Sequence, residues 1–197
     1  MQLSYTPKGR LMMQVVDRKS LNKLVQAALF LNLALVLPFF TMNVPAVGAR
    51  LLPLHLPILI CGIVVGWKHG AIVGLIAPLL RSFMIGTPPL FPTAVAMTFE
   101  LAVYGAIIGL LYARLPKNIV GLYISLIGAM LAGRVVWAAV RVIISGVSDN
   151  VFTWQMFVAG GFTNALPGII FQLIFIPTLI VTLHKAGIIQ PKAASHA

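Results

Sequence analysis

Four polar side chains interrupt stretches of this chain that are otherwise apolar enough to sit in lipid. They are Arg81 in AIVGLIAPLLRSFMIG, Glu100 in TAVAMTFELAVYGAIIGLLY, Arg134 in ISLIGAMLAGRVVWAAV and Asn164 in MFVAGGFTNALPGIIFQLIF. An ionisable group at membrane depth costs about 2.5–3.5 kcal/mol to insert, so such groups face inward, find partners and mark a pathway or pocket. Together these four suit the capture of a small polar solute. A guanidinium offers forked donors to a carboxylate, while the acid and the amide bond hydroxyls and amides. Arg134, Trp137 and Arg141 follow i, i+3, i+7 spacing and share one helix face. An indole beside a guanidinium suits a ligand with a flat or apolar body and an acidic end. Glu100 and Tyr104 are co-facial one turn apart, and His55 stands near the start of another apolar run.

Structural duties compete with ligand contact at each position. Glu100 can pair with Arg134 or Arg81 to hold helices together. Arg141 can snorkel to the interface, and Trp154 or Trp137 can belong to an aromatic belt. His55 can be a satisfied helix-end histidine, and Asn164, next to Gly160 and Gly161, can bond helix to helix. One carboxylate still cannot neutralise both Arg81 and Arg134. Positive charge is left over for an anionic ligand.

Other chemistries lack their residues. No G-x-x-x-x-G-K-[ST] loop occurs for ATP hydrolysis, no G-x-S-x-G elbow, and no close carboxylate pair. His55, His69, His184 and His196 form no tight ligand spacing, so neither a metal nor a catalytic site is expected. The single cysteine, Cys61, lies in an apolar run as an inert thiol. A lone proton-coupled carrier acting through Glu100 would have to work without an obvious inverted repeat.

The elements that must position these residues follow from composition. Hydrophobic residues make up 60% of the 197 and charged residues 9%; a soluble domain carries about a quarter charged. The chain reads as one all-α integral membrane domain, residues 1–197, with six transmembrane helices at about 21–41, 52–66, 70–86, 91–113, 119–146 and 154–184. A tail over 1–20 precedes the bundle of 21–184, and a tail over 185–197 follows it. The N-terminal tail lacks the layout of a secretory signal, so the first span is expected in the mature protein. The +11 charge is distributed by topology, not as a nucleic-acid footprint. Five of fourteen basic residues precede the first span, five lie in even-numbered connections or the C-terminal tail, and Arg50 alone lies in an odd-numbered connection. Both termini are therefore expected in the cytoplasm.

At 1.5 Å per residue, Glu100 lies about 13 Å and Asn164 about 15 Å below the outer ends of their spans. Arg134 lies about 22 Å and Arg81 about 16 Å from the inner ends of theirs. These depths match, which is the layout of a pocket open to the outside. Spans two and three are short; Pro53 and Pro57 lie at the start of the second, and Pro78 interrupts the third. Gly62, Gly66, Gly70 and Gly74, then Gly105 and Gly109, recur at four-residue spacing and permit close helix approach.

The run LLPLHLPILICGIVVGWKHGAIVGLIAPLLRSFMIGTPPLFPTAVAMTFELAVYGAIIGLLY, with GRVVWAAV and FTWQMFVAGGFTNALPGII after it, resembles the substrate-binding subunits (S components) of energy-coupling factor vitamin transporters. The features that carry the likeness are a proline-flanked histidine, a glycine-rich turn, PPLFP and an E-L-A-x-Y-G run. The resemblance implies a non-enzymatic subunit of a prokaryotic cell membrane that binds one vitamin on the outer side. Its implied partners are a membrane coupling protein and two cytoplasmic ATPases, which hold the ATP and Mg; this chain needs no cofactor. It also implies a small-residue patch on the first helix for docking the coupling protein, here Ala27, Ala28 and Ala34, with Leu31 and Asn32 at the i+4 positions. Among vitamins of suitable size pantothenate ranks first, with pyridoxine or a hydroxymethylpyrimidine second. The expected contacts are Arg81, Glu100, Arg134, Trp137, Asn164, His55 and Tyr104.

Overall fold

The computed structural model describes residues 18–42, 51–147 and 153–187. Much of both expected tails and of the first and last outer loops lies outside them. The described residues form six main helices and no strand: α1 Arg18–Met42, α2 His55–Val64, α3 Trp67–Ile85, α4 Val95–Arg114, α5 Ile119–Val147 and α6 Leu166–Lys185. Two helices have irregular outer ends with i→i+5 wide turns. Leu90–Ala94 leads into α4, and a short helix, Trp154–Val158, followed by Ala159–Thr163 leads into α6.

Five helices, counting α4 and α6 with these lead-ins, are long and apolar enough to cross a membrane. The exception is α2. Its ten residues span only about 15 Å, half of a hydrocarbon core. Every residue from His55 to Ile63 is buried, the state expected of a helix that is apolar on all sides. Gly66 then turns the chain straight back into α3 with φ of 116°, a conformation a side chain would resist.

Glycines set how closely α2, α3 and α4 approach. A Cβ on Gly62 would lie 2.6 Å from the Gly105 carbonyl oxygen, and one on Gly70 would lie 2.7 Å from the Gly62 Cα. At Gly74 it would run into the Leu101 backbone. The four-residue glycine spacing therefore serves backbone contact within this chain. Around this tight trio, α4 packs broadly on both α3 and α5, α1 lies on α2 and α3, and α6 lies on α5 with a lighter contact to α2. Short α2 does not fill the space between α1 and α6. An apolar groove of about 570 Å³ remains there, lined by residues such as Leu29, Leu33, Pro57, Phe171 and Phe175.

Candidate ligand-binding site

The centre of the bundle gathers four of the seven expected contacts. Glu100 on α4 is 1% exposed and lies 2.7 Å from Nη1 of Arg134 on α5, itself 6% exposed. His55, at the first turn of α2, places Nε2 3.8 Å from the same carboxylate oxygen. Tyr104, one turn below Glu100, meets the His55 ring edge-on with centroids 5.5 Å apart. Its ring occupies the space that a side chain at residue 133 would take, so Gly133 lets α5 close on α4 and brings Arg134 to Glu100. Leu52 helps place the histidine. It turns the chain with φ of 51°, and its carbonyl accepts the His55 N–H at 3.0 Å.

The cluster is incompletely satisfied by the described residues. The 2.7 Å contact is an ion pair, but the Glu100 Oε1 alignment is not that of a hydrogen bond. Arg134 keeps Nε and Nη2 buried without a hydrogen-bond partner among the described residues, and so does His55 with both ring nitrogens. Buried donors left this way cost about 1–3 kcal/mol each. A solute with an acceptor group can answer Nε and Nη2 together, in the forked geometry of a carboxylate on a guanidinium.

The remaining candidates lie elsewhere. Arg81 is buried, but its Nη1 donates to the Leu35 carbonyl of α1 at 2.9 Å and its guanidinium lies 5.4 Å from the Phe39 ring centroid. Pro38 stands inside α1 beside both. A helix-interior proline lacks an N–H and crowds the carbonyl four residues back, here that of Ala34, next to the Leu35 carbonyl that receives Arg81. Trp137 is half-buried on α5, stacks on Phe157 at 6.4 Å, and fits against Gly160 in the wide-turn segment before α6. Asn164 is exposed at the break preceding α6, outside the buried cluster. The excess positive charge expected from Arg81 is thus not delivered to Glu100. Beyond Glu100, the positive charge on this side belongs to α5, where Arg134 and Arg141 share a face.

The expected docking patch is divided. Ala27 and Ala34 are 7% and 0% exposed and belong to the core, because their face of α1 packs on α2 and α3. They offer no outward surface. Ala28 is exposed, beside Asn32, whose amide bonds the Ala28 carbonyl at 3.0 Å.

Of the buried polar residues that the sequence reading did not single out, Gln172 has the longest side chain. Gln172 on α6 is 1% exposed. Its only sequence signal is four-residue spacing with Gly168 and Ile176, which places it on the inward stripe.

Residues 22–182 match the family model described as ECF transporter, substrate-specific component. No curated protein and no solved structure matches the chain. With a six-helix apolar bundle around a buried polar centre and a family match over most of its length, the chain belongs to the substrate-specific components of ECF transporters, multi-pass cell-membrane subunits that carry a substrate with an energising module and do not catalyse.

Proposed function

We propose that this subunit captures a small vitamin with one carboxylate, pantothenate before others, and delivers it inward with a membrane coupling protein and two ATPases. The observation that carries the reading is Arg134, held through Nη1 by Glu100 while Nε and Nη2 are buried without a hydrogen-bond partner among the described residues. The ligand carboxylate would take those two donors. Glu100 and His55 would meet its hydroxyls and amide, and Tyr104 and Trp137 would pack its apolar body. Asn164 would contact the ligand only from the outer side of the bundle, and Arg81 supports α1 instead. Family membership displaces the stand-alone carrier as a reading.

A flat hydroxymethyl heterocycle such as pyridoxine or a hydroxymethylpyrimidine is the second reading. It is favoured by His55, whose two ring nitrogens lack partners among the described residues and suit ring hydroxyls. Equilibrium binding of labelled pantothenate and pyridoxine to the purified protein separates the two. Arg134→Ala should weaken pantothenate binding by about a hundredfold or more, the loss of a charge-assisted pair. Pyridoxine retention with pantothenate ignored, or an Arg134→Ala protein that binds pantothenate normally, refutes the ranking. Uptake in cells lacking the coupling protein and ATPases should be absent.

A further inference from the structure

Gln172 belongs to none of the chemistry assigned so far, yet it is among the most deeply buried polar side chains of the bundle. Its amide nitrogen has no hydrogen-bond partner among the described residues. An unpaired buried amide costs stability, and an apolar residue of similar volume would avoid that cost. Its place in the fold supplies a reason for keeping it. Gln172 lies about 20 Å outward of Lys185 at the inner end of α6. Arg134 lies about 22 Å outward of Ile119, and Glu100 about 21 Å outward of Arg114. The three polar groups therefore stand at one level on three helices, with α6 packed on α5.

The fully buried residues of α6 outward of Gln172 are small, Ala165 and Gly168, with Gly161 in the lead-in segment, and partly buried Ile169 packs against the core beside them. A Cβ on Gly161 would meet nothing nearer than 3.7 Å. Inward of Gln172 the same stripe becomes Ile176 and Ile180, both core residues. Gln172 thus marks where the fully buried residues of this face change from small to bulky.

We infer that Gln172 is a specificity-determining contact residue on the α6 side of the solute site, level with Arg134, donating its amide N–H to an acceptor on the bound molecule other than the group held by Arg134. The inference rests on the binding-site reading above and extends it to the ligand class. The solute carries a second acceptor, such as an amide carbonyl, hydroxyl or ring nitrogen, on the side that faces α6.

The test uses Gln172→Leu and, as a second volume-conserving variant, Gln172→Met, with Arg134→Ala as reference. Each is purified in detergent and measured for unliganded melting temperature and for retention of labelled pantothenate and labelled pyridoxine. Both Gln172 variants should melt at or above the wild-type temperature when unliganded and should bind the retained vitamin about ten- to a hundredfold more weakly. If both melt lower, the amide is satisfied within the protein and the inference is overturned. Unchanged affinity in the Gln172 variants alongside lost binding in Arg134→Ala overturns the inference alone. Unchanged affinity in all three overturns the site reading with it. If wild type retains neither vitamin, the vitamin ranking falls, and the unliganded melting temperatures decide the fate of Gln172.

Discussion

Replacing Glu100 by Gln removes one charge from a pair that has little else to balance it. The carboxylate is 1% exposed, Arg134 is 6% exposed, and their nearest atoms are 2.7 Å apart. Charge centres about 4 Å apart attract by about 4 kcal/mol at an effective dielectric near 20. Breaking a buried pair by removing one partner costs about 3–5 kcal/mol, because the other charge is stranded. Arg81 cannot relieve this, since it is committed to the Leu35 carbonyl and to Phe39. His55 cannot replace a lost anion. For a domain of this size each kcal/mol moves the melting temperature by about 2–4 °C, so Glu100→Gln should lower it by about 6–20 °C in thermal unfolding of the detergent-solubilised, unliganded protein. The double variant Glu100→Gln/Arg134→Met removes the stranded charge and should recover most of that loss. A double variant whose loss equals the sum of the two single losses refutes the reasoning: the two side chains would then contribute independently.

Two further outcomes test the frame around the site. Gly105→Val should abolish accumulation of folded protein in the membrane, since a Cβ there runs into the Gly70 backbone, whereas Gly146→Ala meets nothing within 4 Å and should gain about 0.5–1 kcal/mol in melting experiments. Arg81→Ala should lose about 1–3 kcal/mol of stability with its charge-assisted hydrogen bond to the Leu35 carbonyl, while leaving vitamin affinity within about threefold; a loss of affinity comparable to that of Arg134→Ala would return Arg81 to the binding site.

Much of the architecture was legible because it depends on one-dimensional quantities. Apolar run length gives the spans, and the distribution of lysine and arginine gives the expected orientation. Residue rise gives depth, which puts Glu100 and Arg134 at similar levels from sequence position alone. Co-facial spacing linked Glu100 to Tyr104. The glycine spacing announced close helix approach, although only the fold shows that Gly62, Gly70 and Gly105 meet one another.

What the tertiary structure decided is azimuth. Successive residues rotate by about 100° around a helix axis, so a residue at the right depth can face any neighbour. Arg81 has the depth that its position along α3 gives it, yet it faces α1, where it bonds the Leu35 carbonyl. Ala27 and Ala34 turn inward to short α2 and to α3, which removes them from the surface on which the sequence placed them. Gln172 carries no charge to betray it within an apolar run; its importance appears only once α6 is docked and its inward stripe is known. Sequence set which groups lie at which depth, since hydrophobic transfer acts residue by residue. Helix packing chose which of them face each other, since that choice depends on the shapes of all six helices together.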